Sequence, residues 1–346
     1  MSNKAKSLIK ITLIYLLAFG AAAAFLVPLQ LFGLIPDGSD SPRFLLDDGS
    51  YMADQRLLFV FLADFIAMVI IWLFSLHYKK NICLYDPYWG VSALLLIPAF
   101  YFINYPEAQF EFMHLIVLIP LCFWAIRRTV HWAGGFQHLD WNDWRYYKTR
   151  KRHPKLYHLF SFLWVMLVPT VLVYAGMIPF SQMTLPLDAS EQQATHLLKA
   201  WMIIIGGVII AVGAIYQWLA DRDMARFREK IQNRNKNIDV GLWRHSRHPN
   251  YFGEILIWAG LFIASIPMFI VRNGVPVQAA AAVGAIMITL YFFWQSVPMM
   301  EKHLEENRPQ YKQYKSVVIS PIIPFKRKKT IGEADPNANM DFNKFH

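Results

Sequence analysis

The run Gly241-Leu-Trp-Arg-His-Ser-Arg-His-Pro-Asn-Tyr-Phe-Gly-Glu254 brings two arginines, two histidines, a proline and an Asn/Glu pair to the edge of an apolar segment. Pro249 suits the first turn of a helix, where an N–H would have no intrahelical partner. His248 then falls at or near the cap, and the remaining backbone donors and positive helix end favour a phosphate. Arg244, Arg247, His245 and His248 stand just outside it. Asn250 and Glu254 are four apart and share a helix face; an amide and a carboxylate together suit a carboxamide or a ribose. Gly253 between them and Gly260 one heptad on predict a groove where a flat ligand reaches the backbone. On helix statistics alone Glu254 equally fits an acid complementing the helix dipole, and His245 reads as an interfacial side chain.

Two further segments carry polar groups that could join this site. Gln217, Asp221 and Arg228 recur at four and then seven residues, one stripe of a helix that leaves the membrane. A membrane-embedded glutamine and a boundary aspartate are functional candidates by default, whereas Asp223, Arg226 and Glu229 fit a solvated face. Near the C-terminal end, Glu301, Arg308, Tyr311, Tyr314 and Lys315 form a basic and aromatic segment before Pro321 and Pro324.

The elements that position these residues are apolar spans. The chain is 55% hydrophobic, 16% aromatic and only 17% charged over 346 residues, with a mean hydropathy of +0.28, more apolar surface than a soluble domain of this length can bury. A span needs about 20 apolar residues, and the sequence predicts eight, at 8–35, 57–76, 88–105, 112–130, 159–180, 197–219, 252–271 and 277–298. The runs are continuous, without the alternation of a membrane barrel. The expected fold is therefore all-α, a polytopic membrane helical bundle.

Charge orients the bundle. The connectors 36–56, 104–111 and 180–196 are poor in Lys and Arg, the first holding Asp37, Asp40, Asp47, Asp48 and Asp54. The alternating connectors 127–158 and 220–250 are basic. The positive-inside bias places the basic connectors and both termini in the cytoplasm, and a multi-pass protein of the cell inner membrane is expected. Gly20-Ala-Ala-Ala-Ala24 resembles a signal cleavage site, but the apolar run continues to Ile35, so the segment reads as a retained span. Cys83, in an expected cytoplasmic loop, and Cys122, inside a span, do not suggest a disulfide. Zinc-ligand spacing, repeats, Walker motifs and dinucleotide-fold glycine motifs are absent from the sequence. The net charge of +10 serves topology and attraction to anionic lipid; the basic segments are short connectors, which argues against nucleic-acid binding. The Lys-rich and then Asn/Asp-rich residues 326–346 read as disordered.

The Gly241–Glu254 run, with Trp258-Ala-Gly260 and the Glu301…Tyr311…Tyr314…Pro324 ending, resembles the bacterial membrane family that shares the C-terminal domain of steroid 5α-reductases. Tyr85-Asp-Pro-Tyr-Trp-Gly90 and Asp143-Trp-Arg-Tyr146 look like two weaker hallmarks of the same family. Sterol reductases and isoprenylcysteine methyltransferases share the Arg-His-Pro-x-Tyr core. The resemblance implies N-terminal membrane helices over 1–158 on the substrate side and a cofactor-binding membrane domain over 159–325. It implies NADPH, with Asn250 and Glu254 at the nicotinamide end, and Gln217, Asp221 and Arg228 along the adenosine and phosphate end. Arg244, Arg247, His248, Glu301 and Tyr314 are further implied contacts. Gln217 departs from the asparagine usual in the steroid enzymes. Hydride would reach an activated C=C bond of a hydrophobic substrate arriving from lipid, while a protein acid polarises the carbonyl. Tyr88 and Asp86, then Glu111, are the nearest counterparts of the tyrosine and glutamate that the steroid enzymes use; each also has an ordinary reading as an interfacial or turn residue. The alternative is an S-adenosylmethionine-dependent methyltransferase with a lipid or prenylated acceptor.

Overall fold

The structure, a computed structural model, describes residues 2–35, 55–78, 81–104, 108, 110–184, 189–233, 236–271, 275–308 and 310–325. The acidic connector expected at 36–56 lies almost wholly outside these residues, as do parts of 104–111 and 180–196 and the whole of the tail 326–346 expected to be disordered. The described residues form helices without strands: α1 (Asn3–Leu31), α2 (Gln55–His77), α3 (Tyr88–Ile103), α4 (His114–Gly135), α5 (Trp144–Arg152), α6 (Tyr157–Phe160), α7 (Val168–Met183), α8 (Ala189–Glu229), α9 (Pro249–Val271), α10 (Val275–Tyr291), α11 (Val297–Asn307) and α12 (Tyr311–Val317).

Eight helical stretches among the described residues are long and apolar enough to cross a membrane. The number matches the sequence expectation, but the bounds shift. The third span starts at Ile82, six residues before the expected position, because a 3₁₀ turn (Ile82–Leu84) and the Tyr-Asp-Pro turn lead into α3. Cys83, expected in a water-facing loop, is consequently fully buried. Both described cysteines are free thiols.

The fifth and eighth spans are not uniform. A π-helical segment, Ser161–Leu167, separates α6 from α7, and another, Phe292–Ser296, joins α10 to α11. Each ends just before a proline, Pro169 or Pro298. Proline offers no N–H and its ring crowds the carbonyl four residues back, so the helix widens there instead of breaking.

The chain forms two compact units. The first comprises Met1–Gly207 and Leu261–Ala285. In it α1 packs on α2, and α3 packs on α2, α4 and α7. Small residues let these backbones approach, as is usual where lipid removes the hydrophobic drive between helices: a Cβ on Gly90 would stand 2.9 Å from Ala125 O, and one on Gly207 would stand 2.6 Å from Ile116 O. Its core gathers Ile11, Tyr15, Ala18, Met68, Ile71, Leu84, Tyr85, Tyr88 and Met166. The second unit comprises Val208–Gly260 and Ile286–His346.

Candidate functional site

In the second unit, α9 begins at Pro249 as the sequence predicts. The segment before it is fastened in place on several sides. Gly241 has φ +57°, a left-handed conformation that other residues rarely adopt, and a side chain there would run into the Asp223 carboxylate. Trp243 Nε1 donates to Ala220 O of α8 at 2.9 Å, and Tyr314 Oη donates to Trp243 O at 2.8 Å. A strip of the C-terminal segment then lies along residues 245–248: Arg247 N donates to Ser320 O, His248 N to Pro321 O, Ser246 Oγ to Ile322 O and Phe325 N to His245 O.

The charged residues of the motif hold this strip. Arg247 is buried; its Nε donates to Glu301 Oε1 at 2.6 Å and its Nη1 to Val318 O and Ile319 O at 2.7 and 2.5 Å. Lys315 Nζ reaches the other oxygen of Glu301 at 2.7 Å. His248 Nε2 lies 3.7 Å from Glu301, beyond hydrogen-bonding distance. Burial pushes His248 below the usual imidazole range, against the opposing pull of Glu301, so it stays neutral at pH 7. Its ring stacks on Tyr251 at 5.3 Å, and Tyr251 stacks on Phe292 at 4.8 Å. Arg247, His248, Glu301 and Tyr314, all expected at a cofactor, thus make their present contacts within the chain. Arg244 and His245 are exposed.

Asn250, Glu254 and Gln217 come together. Gln217 Nε2 donates to Glu254 Oε2 at 2.6 Å and lies 3.4 Å from Asn250 O. Glu254 is fully buried, and the buried Oδ1 of Asn250 has no hydrogen-bond partner. The sequence reading put Gln217 with Asp221 and Arg228; its side chain instead joins the Asn/Glu pair. Gly253 does not open a groove to a ligand, as the sequence suggested. A Cβ there would meet Gly213 O at 2.6 Å and Gln217 N at 2.9 Å. The absent side chain admits the backbone of α8, and this crossing is what carries Gln217 to Glu254.

Farther along α8, Asp221 is half-buried and Arg228 exposed. Arg308 Nη1 donates to Lys236 O at 2.8 Å. Burial, and then the neighbouring Arg228 guanidinium, push Arg308 below the usual arginine range. Two guanidinium groups near one another raise each other's cost, so the place suits an anion.

The first unit holds a second polar group. Tyr88, fully buried at the start of α3, donates to Asp64 Oδ1 at 2.5 Å and lies 2.9 Å from Asp64 O. Asp64 sits inside the span of α2, with its other oxygen buried. Sequence reasoning missed it, although a lone carboxylate in an apolar span is a signal in itself. Tyr85 stacks on Tyr88 at 5.1 Å and its hydroxyl meets Met166 O and Thr170 Oγ1.

Asp86 is differently placed. Tyr146 Oη donates to its carboxylate, and Arg145 Nη2 lies 3.5 Å away. Burial and then Asp86 push the Tyr146 phenol up, so it remains protonated. The two weaker hallmarks, Tyr85–Gly90 and Asp143–Tyr146, therefore close on each other. Buried Asn81 strengthens the closure, accepting from Cys83 N and donating to Leu139 O and Trp141 O. Glu111 is paired with Lys199 at 2.5 Å. It follows the C-terminal end of α3, whereas Asp86 precedes the other end, and the 16-residue helix itself is about 24 Å long. Asp86 and Glu111, the two carboxylates expected as counterparts of the catalytic glutamate, thus stand beyond opposite ends of α3. Among the described residues no group of three or more His, Cys, Asp or Glu could hold a metal ion.

A family described as a protein of unknown function, DUF1295, matches residues 71–318. No curated protein and no solved structure matches the chain.

Proposed function

The chain belongs to the DUF1295 family, and from that premise we propose that it is an integral membrane NADPH-dependent reductase of the steroid 5α-reductase kind, acting on the activated C=C bond of a hydrophobic substrate. One observation carries the reading. The buried Asn250 Oδ1 lacks a partner beside a buried carboxylate that Gln217 already orients. An orphaned amide oxygen in such a place calls for a donor, and a nicotinamide carboxamide brings two N–H groups. The residues present therefore fit the group.

In this proposal Asn250 and Glu254 receive the carboxamide end, with Gln217 holding Glu254. Asp221 faces a ribose. Arg228, with Arg308 beside it, takes the 2′-phosphate, and exposed Arg244 takes a bridging phosphate. Arg247, His248, Glu301 and Tyr314 hold the C-terminal strip that frames these groups. NADPH, when bound, supplies the hydride. The proton belongs to residues 1–158, the proposed substrate side. Within the first unit Tyr88 is the proposed acid, and Asp64 in place of Asp86 is the carboxylate that holds it. Tyr146 and Arg145 occupy Asp86. The aromatic rings of Phe19 and Tyr85 stacked on Tyr88 favour a hydrophobic substrate arriving from lipid, and the basic connectors favour a cofactor drawn from the cytoplasmic side of the inner membrane.

The test is a thermal-stability titration of purified protein with NADPH and, separately, S-adenosylmethionine. A ligand confined to the folded state stabilises it by about 2.7 kcal/mol at a hundredfold excess over its dissociation constant. A shift with NADPH alone supports the reductase; a shift with S-adenosylmethionine alone replaces it with a methyltransferase.

A further inference from the structure

Helix α5 lies between the fourth span, which ends at Gly135, and the fifth, which begins at Tyr157. Its connector therefore runs along one membrane face. The helix is two-sided. Inward, Tyr146 is buried and donates to Asp86, Arg145 reaches Asp86 and Asp143, and the backbone N–H of Asp143 points at Cys83 Sγ at 3.4 Å. Outward, Lys148, Arg150, Lys151, Arg152 and Lys155 are all exposed, with Tyr147 61% and Leu156 52% exposed among them. Asp143, the acid at the helix start, is held by Arg145, so the outward cations run without an acid between them from Lys148 to Lys155. A cationic face with an aromatic and an aliphatic side chain beside it, tethered at a bilayer edge, complements anionic headgroups.

We propose that α5 binds the phosphate headgroups of anionic phospholipids in the adjoining leaflet, and that this contact holds the Tyr146–Asp86 clasp closed over Cys83. The physical link is short. Tyr146 and Arg145 sit on the same helix as Lys148, Arg150, Lys151 and Arg152, with Lys155 in the turn just after it, so fixing the outer face fixes the inner one. Asp86 is followed directly by Pro87 and Tyr88, and the clasp therefore bears on the first turn of α3. Nothing in this proposal requires NADPH, so its failure and that of the reductase reading are separable.

Cys83 provides the readout. In a Cys122→Ser background, full-length protein is reconstituted in vesicles of phosphatidylcholine alone or with phosphatidylglycerol, and the rate of maleimide alkylation at Cys83 is measured. Alkylation is expected to slow severalfold with phosphatidylglycerol. Lys151→Gln/Lys155→Gln removes that dependence, whereas a charge-matched control, Arg226→Gln/Lys230→Gln, retains it. In parallel, the relative association of spin-labelled phosphatidylglycerol is expected to fall by about fivefold per cation removed from α5 and the turn after it. Equal alkylation rates in the two lipids, or equal loss of the lipid effect in both double variants, overturns the coupling. Unchanged lipid association in the α5 variant overturns the surface itself.

Discussion

Gly253→Ala is the substitution that most directly probes the α8–α9 crossing. An added Cβ would lie 2.6 Å from Gly213 O and 2.9 Å from both Gln217 N and Gln217 Cβ. Ordinary contact begins at 3.4 Å, and two of these neighbours are backbone atoms that no rotamer change can remove. The helices must therefore part by roughly 0.8 Å, an overpacking that costs about 1–3 kcal/mol. The same displacement acts on Gln217, whose 2.6 Å bond to Glu254 does not survive an added 0.8 Å at about full strength. Two losses are expected together: lower resistance to unfolding in a sodium dodecyl sulfate titration, and at least about tenfold weaker NADPH binding in the folded fraction, equivalent to about 1.4 kcal/mol. Gly20→Ala is the control. It lies within α1, and an added Cβ meets nothing within 4 Å, so the same change is expected to be neutral or to stabilise by up to about 1 kcal/mol through helix propensity. If Gly253→Ala unfolds with the parent and binds NADPH equally, the tight crossing and its role in placing Gln217 are both refuted.

Other expectations can be checked with the same preparations. Glu254→Gln should leave the fold intact, since a glutamine oxygen can still accept from Gln217 Nε2, but weaken NADPH by at least about tenfold; retained affinity removes the carboxamide assignment. Tyr88→Phe strips buried Asp64 of its phenol donor and should cost about 1–3 kcal/mol, whereas Asp64→Asn keeps an acceptor and should cost less; the reverse order in denaturant titration contradicts the pairing. Arg228→Ala should weaken NADPH more than NADH, and equal losses in a fluorescence titration move that arginine away from the 2′-phosphate. His248 gives a pH dependence. Because its folded pKa is depressed by burial, the unfolded chain takes up the proton first as pH falls below about 6.5. Stability is thus full above that value and declines below it, by up to about 1.4 kcal/mol per pH unit. His248→Gln should flatten this slope between pH 6.5 and the folded pKa, as read from unfolding at a series of pH values.

The apolar runs alone predicted eight spans, because roughly 20 residues of hydrocarbon thickness leave few other solutions, while the bounds moved by up to ten residues, since helices run on past their apolar stretch. The start of α9 was legible because proline, which has no N–H to donate, is favoured in the first turn of a helix. The pairing of Asn250 with Glu254 was legible too, since four residues bring side chains to one helix face. Gln217 was visible as a buried polar group, but its partner was not, because that partner depends on Gly213 and Gly253 meeting across two helices.

The sequence by itself determined the class of the molecule, its helices and the polar residues that stand out against them, since all of these follow from local periodicity and composition. Tertiary structure decided how those residues pair. Arg247 clamps Glu301 and the C-terminal strip; Tyr88 turns to Asp64 on another span; Asp86 belongs to Tyr146; and Gly253 admits a helix where a ligand groove was expected. Each of those outcomes depends on contact between residues distant along the chain. Such contacts are set by side-chain volume and by the need to satisfy buried polar groups, neither of which is written in local spacing.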